Sequence, residues 1–238
     1  MNIQTLQKMS SSQRLMGMLY GPPGTGKTCF AAASNLRTVI IDADRGISSI
    51  IPRKKSLGVA WENIVVLECW NDTNKMTEAL NYVFTNSRNF DLIVIDTLTL
   101  MQHSFLHNKI KNRKSNKGTY DDYNETLYAF TDVILSMKQM PCHVLFTAHE
   151  ECRKVDGKYG PLFAGQLSTT YAGHMDYIGR CRIISVPKAQ NSPDLVQMRV
   201  IDFGPEDAQD FKDRSQAMRR YETDDIGILL PRMIANLS

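Results

Sequence analysis

The sequence predicts an α/β fold, a mostly parallel sheet with helices on both faces and an antiparallel hairpin at one edge. Three observations predict it. Short, continuous apolar runs recur at 15–20, 38–42, 64–67, 92–96 and 142–148, and such runs suit parallel strands buried on both faces. Stretches with helical spacing separate them, the alternation expected of a helix-covered parallel sheet. Late in the chain, 177–186 and 195–203 flank the turn-rich segment Pro187–Asp194, the pattern of a hairpin.

Each element follows from its residues. Leu15–Tyr20 reads as a buried strand, followed by a glycine-rich loop and a helix through Ala31–Ala33. Thr38–Asp42 is a β-branched run ending in acid, and Ile64–Leu67 is a further strand. Thr73–Arg88 has apolar residues at 76, 79, 80, 83 and 84, which is helical spacing. Leu92–Asp96 is an apolar strand ending in Asp, and a helix is expected over 97–107. Asp121–Met140 carries apolar positions at 127, 130, 133, 134 and 137, and Pro141 stops it. Cys142–Ala148 is the next strand. Residues 151–175 show little periodicity, and 205–238 reads as loop and a closing helix. Without an internal repeat or low-complexity linker, 1–238 reads as one domain, with a tail over 1–13 and a C-terminal segment from 205.

Composition narrows the function classes. Apolar content of 42% and charged content of 22% are ordinary for a soluble globular chain. A net charge of +3 is too small to imply nucleic acid by itself, so a basic surface must be local. Cysteines at 29, 69, 142, 152 and 181 are odd in number and lack CxxC spacing. That argues against a disulfide framework and for a reducing compartment. The N-terminus lacks the apolar stretch of a signal peptide, and no run is long enough to span a membrane. A cytoplasmic protein is expected, with no membrane partner. His103 and His107 stand at i, i+4 without an evident third metal ligand.

The loop Gly21-Pro22-Pro23-Gly24-Thr25-Gly26-Lys27-Thr28, followed by Cys29, matches G-x-x-x-x-G-K-[ST] with a strand before and a helix after. Glycines let backbone N–H groups curl around phosphates. Lys27 is expected to reach the β- and γ-phosphates, and the Thr28 hydroxyl to ligate Mg²⁺. Asp96, at the end of a buried strand, has the Walker B position beside that ion. The cofactors expected are therefore ATP and Mg²⁺. Hydrolysis also needs a carboxylate to orient the attacking water. Thr97, next after Asp96, cannot serve. Asp42 and Asp44, in Ile40-Ile41-Asp42-Ala43-Asp44, are carboxylates at a strand end, open to that role or to capping the turn before Gly46.

Together these motifs resemble the RecA-like P-loop ATPase core over roughly residues 14–216, most like short single-domain phage ATPases of recombination and single-strand annealing. The resemblance implies that Asp44 acts as catalytic base, although it is one methylene shorter than the usual Glu. It implies that His149, in Thr147-Ala148-His149-Glu150, senses the γ-phosphate. It further implies that Lys212 and Arg214 project into a neighbour's nucleotide site, so that the active form is a ring or filament. The other reading of that pair is an ordinary solvated basic segment.

RecA-like proteins line their DNA path with two loops, which here match 108–119 and 151–175. The first carries Lys109, Lys111, Arg113, Lys114 and Lys117 and no acid; the second carries Arg153, Lys154 and Lys158, with Tyr159, Phe163 and Tyr171 as stacking candidates. Both suit a single-stranded nucleic acid. The partners expected are single-stranded DNA, further copies of the chain, and a single-strand-binding or recombination protein. Two other classes stay open: a P-loop kinase acting on a small molecule, and an ATP-binding switch acting on a protein partner.

Overall fold

The computed structural model describes residues 13–51, 61–111, 117–154, 156–188, 193–204, 209–223 and 226–237. The strands are β1 (Met16–Tyr20), β2 (Thr38–Asp42), β3 (Ile64–Glu68), β4 (Leu92–Asp96), β5 (His143–Ala148), β6 (Glu150–Cys152), β7 (Tyr159–Pro161), β8 (Tyr177–Pro187), β9 (Leu195–Asp202), β10 (Lys212–Asp213) and β11 (Tyr221–Glu222). The α-helices are α1 (Lys27–Ala32), α2 (Thr73–Asn86), α3 (Leu98–Ile110), α4 (Tyr120–Met137), α5 (Leu167–Thr170) and α6 (Ile226–Leu237).

The main sheet has the order β11-β9-β8-β1-β5-β4-β2-β3, with β10 also paired to β8. Neighbours from β8 through β3 run parallel, whereas β9, β10 and β11 add antiparallel. The expected hairpin is thus the β8–β9 pair, and it sits at one edge.

Alternation along the strands explains why both faces are covered. Met16, Met18, Val39, Ile41, Ile93, Ile95, Val144 and Phe146 point to one face, against Val83 of α2, Leu98 of α3 and Ile134 of α4. Leu19, Ile40, Val94 and Leu145 point to the other, against Phe30 of α1 and Leu229 and Met233 of α6. Asp72 begins α2 by accepting N–H bonds from Asn74 and Lys75. At α4, Asp122 reaches back to the Thr119 N–H at 2.7 Å, one half of a capping box.

Helices α3 and α4 each differ by up to about three residues from the expected bounds, the usual uncertainty at helix ends. Segment 151–175, expected to be irregular, contains the end of β6, then β7 and α5. The tail adds two-residue strands ahead of the closing helix. Such pieces are too short to show periodicity. No described helix is long and apolar enough to cross a membrane.

Candidate functional site

The carboxyl ends of β1, β2, β4 and β5 meet on one side of the sheet, where open α/β sheets place ligands. The order puts β5 between the phosphate-loop strand and the Asp96 strand. Strand register brings Asp42 level with Asp96. The β4–β5 register, with Ile95 opposite Phe146, puts Thr147 beside Asp96.

Gly21 through Gly26 carry the chain from β1 into α1, which starts at Lys27. Gly24 (φ 79°) and Gly26 (φ 98°) adopt the left-handed backbone that glycine tolerates best. Gly21 is required by space: a Cβ there would lie 2.2 Å from the Cys181 carbonyl oxygen of β8. Thr25 fastens the loop by donating to the Pro22 carbonyl at 2.8 Å. Lys27 Nζ donates to the carbonyls of Gly21 and Pro22 at 2.8 and 3.0 Å. Burial lowers the Lys27 pKa from its usual value, so an anion arriving there meets a poorly hydrated ammonium.

The Thr28 hydroxyl donates to Asp96 Oδ2 at 2.7 Å, and the Thr147 hydroxyl donates to Asp96 Oδ1. Asp96 is fully buried, and that burial raises its pKa. Its direct hydrogen-bond partners are the two hydroxyls, with the Lys27 ammonium in electrostatic reach. Thr28 and Asp96 supply hard oxygen donors suited to Mg²⁺. Gly46 leaves the space over them open, because a Cβ there would come within 2.9 Å of Asp96 Oδ2 and 3.0 Å of Thr28 Oγ1. The residues therefore fit a magnesium–triphosphate.

The two acids at the end of β2 and just past it separate cleanly. Asp42 Oδ1 accepts N–H bonds from Asp44 and Gly46, and its Oδ2 accepts one from Ile47. Asp42 is thus the turn cap. Asp44 instead faces the cleft, with its Oδ2 3.1 Å from His149 Nε2. His149 is held in turn by its N–H, which donates to Thr99 Oγ1 at 3.0 Å. Thr97 also lines the cleft, and its hydroxyl caps α3 by accepting from the Leu100 N–H. Lys27, Thr28, Asp44, Gly46, Asp96 and His149 line a common cleft of about 210 Å³, together with loop residues Pro23, Gly24, Gly26 and Cys29.

Lys212 and Arg214 lie elsewhere. Lys212 pairs with Ile178 near the start of β8, and its Nζ donates to the Ala172 carbonyl. Arg214 bonds Asp176 Oδ1 at 2.7 Å, and Asp176 Oδ2 accepts the Met16 N–H at the start of β1. The phosphate loop leaves the opposite end of β1. Neither cation faces the loop of its own chain.

The basic loops are more engaged than their sequence suggests. Lys109 pairs with Glu125. Lys111 is exposed at the end of α3, and Lys117 is exposed before α4. Arg113 and Lys114 lie outside the described residues. Arg153 is bound by Asp156 and, through both terminal nitrogens, by Asp210. Lys154 is exposed and Lys158 half-buried at the tip of the β6–β7 hairpin.

The stacking candidates need correction. Phe163 and Tyr171 are 5% and 1% exposed and pack edge to face in the core, so neither offers a free face. Tyr159 has the Arg180 guanidinium 4.0 Å over its ring. That arginine also forms a buried pair with Glu150, the residue after His149.

Sequence reasoning missed Gly46 and Thr147. Register with Asp96 is the signal for Thr147. Gly46 has no sequence signal, since it is defined by space.

The family described as an AAA domain (AAA_24) matches residues 13–215. No curated protein matches. Two solved structures are similar. The RadB recombinase has a TM-score of 0.49 and 14% identity, over 84% of this chain and 90% of that one. The KaiC-like protein PH0186 from Pyrococcus horikoshii OT3 has a TM-score of 0.46 and 12% identity, over 79% and 78%. The family match takes in the phosphate loop, the Asp96 strand and the His149 strand, and the chain belongs to the AAA domain family, a P-loop NTPase.

Proposed function

We propose that the chain hydrolyses ATP with Mg²⁺ and couples turnover to single-stranded DNA, as a ring or filament serving recombination, annealing or repair of the phage type. The observation that carries the hydrolytic part is the contact between Asp44 and His149 across the cleft from Lys27. A carboxylate held there by an imidazole is poised for water rather than for a bulky acceptor, which favours hydrolysis over the kinase reading.

Bound Mg²⁺ would be held by Thr28 and Asp96 and would offset charge on the β- and γ-phosphates. The remaining work belongs to the chain. Lys27 exchanges its two loop carbonyls for phosphate oxygens. Asp44 orients a water and accepts its proton, a role worth about 10²–10⁴ in rate. With its proton on Nε2, His149 donates to Asp44 and fixes that carboxylate. Asp96 ends β4 and Asp44 lies two residues past the end of the neighbouring β2, where the turn capped by Asp42 holds it.

Coupling to DNA rests on chain order. His149 leads directly into the β6–β7 hairpin, whose tip carries Lys154 and Lys158. A shift of His149 on loss of the γ-phosphate would reach that tip within a few residues. Lys212 and Arg214 point away from their own loop, which favours action on a neighbouring copy.

The test is phosphate release with and without single-stranded DNA, for wild type, Lys27→Ala and Arg214→Ala. Stimulation by DNA, loss in each variant, and partial recovery on mixing the two support the reading. Turnover indifferent to DNA favours a switch acting on a protein partner. A phosphorylated product in place of free phosphate favours the kinase.

A further inference from the structure

The P-loop is approached from two flanks. On one stand β5, β4 and β2, which deliver His149, Asp96 and Asp44. On the other stand β8 and β9. Strand β8 runs parallel to β1 and pairs with it only as far as Arg180, opposite Tyr20. It then continues to Pro187, past the point where β1 turns into the loop. Strand β9 returns alongside, with Ile201 opposite Cys181 and Arg199 opposite Ile183.

Alternation places Ile201 and Arg199 on one face of the hairpin. Ile201 is fully buried in the core under α1. Arg199, two residues back, has passed the edge of that core and lies against the phosphate loop. Its Nε donates to the Gly24 carbonyl at 3.4 Å, and a Cβ on Gly26 would be 3.1 Å from its Cδ. The hydrogen bond is long and weak.

The other arginines of this hairpin are engaged by acids. Arg180 pairs with Glu150, and Arg182 with Asp202. No carboxylate among the described residues lies within ion-pair distance of Arg199. A guanidinium resting on a loop carbonyl, beside the glycines that cradle phosphate, has donors left over for an anion. Guanidinium matches phosphate oxygens in bidentate fashion.

We propose that Arg199 is a phosphate-binding residue supplied by the same chain, which closes onto the nucleotide from the flank opposite Asp44 and His149. The proposal rests on the P-loop reading. It makes the β8–β9 edge hairpin part of the nucleotide site, and it assigns a cation to that site that needs no neighbouring subunit.

The experiment is calorimetric binding of Mg·ATP and Mg·ADP to the full chain, for wild type, Arg199→Ala, Arg199→Gln, Arg199→Lys and Lys27→Ala, with melting temperatures taken without nucleotide. Loss of a charge-assisted contact weakens binding about tenfold or more, so Ala and Gln should both weaken ATP by that factor while Lys recovers part of it. Glutamine keeps a donor for the Gly24 carbonyl. If Arg199 serves only the loop's shape, Gln therefore restores wild-type affinity, and that result overturns the proposal. So does ATP affinity within about twofold of wild type for Arg199→Ala. Undiminished binding by Lys27→Ala would instead overturn the P-loop reading, whatever the Arg199 variants do.

Discussion

Nε2 of His149 lies 3.1 Å from Oδ2 of Asp44, joining the loops after β5 and β2 across the strand that delivers Asp96. The two residues are 105 positions apart in sequence. Their contact fixes the carboxylate and the imidazole against each other in the cleft that Lys27 and Thr28 also line.

Gly46 is predicted to be a size limit on the metal position. In Gly46→Ala the new methyl must displace Asp96 Oδ2 or Thr28 Oγ1, from which it would otherwise stand 2.9 and 3.0 Å away. Folding should be little changed, because the neighbours are polar side-chain ends rather than core. The Mg²⁺ concentration needed for half-maximal nucleotide binding should rise about tenfold, the scale seen when the groups that orient metal ligands are disturbed. A magnesium titration at fixed nucleotide checks this.

Asp96 should reduce the stability of the nucleotide-free fold at neutral pH. Its pKa is raised by burial, so the folded state favours the protonated form. The sign follows from linkage: its favourable contribution is complete below the unfolded carboxylate pKa and is lost as pH rises through the higher folded value. Asp96→Asn removes that penalty while keeping groups for the Thr28 and Thr147 hydroxyls. The variant should melt about 2–4 °C above wild type near pH 7, for a gain on the order of 1 kcal/mol. The difference should vanish as pH falls into the carboxylate range. Thermal melts from pH 4 to 8 without magnesium measure it, and nucleotide turnover should be abolished throughout.

The Glu150–Arg180 pair is predicted to hold the start of β6 against β8. Both side chains are nearly buried, at 10% and 12% exposure, with contacts of 2.6 and 3.1 Å. Removing Glu150 leaves Arg180 its Gln209 and Tyr159 contacts, so the loss should sit near the low end of a buried pair, about 3 kcal/mol. Glu150→Ala should therefore shift the urea midpoint strongly. The double variant with Arg180→Leu should lose less than the sum of the single changes.

Much of this was legible in the chain itself. The apolar runs located β1, β2, β4 and β5 because they are buried on both faces. The phosphate loop and Asp96 were legible because their chemistry imposes fixed spacing. Asp44 was picked out through the RecA-like resemblance once Thr97 proved unsuitable, and the three N–H bonds to Asp42 separate the turn cap from the cleft acid. What stayed hidden depends on tertiary register or on space. Phe163 and Tyr171 look like free aromatics in a glycine-rich segment, yet they pack edge to face in the core. Arg153 looks like a nucleic-acid contact until Asp210 arrives from 57 residues away. Arg199 has no motif, and only the overhang of β9 past β1 brings it to the loop.

The proposed hydrolysis depends on Asp44 as the acid that activates water. The most direct measurement is phosphate release by Asp44→Asn beside its ATP affinity. Affinity within a few-fold of wild type, with turnover lower by about 10²–10⁴, is the predicted result. Wild-type turnover by Asp44→Asn would contradict it.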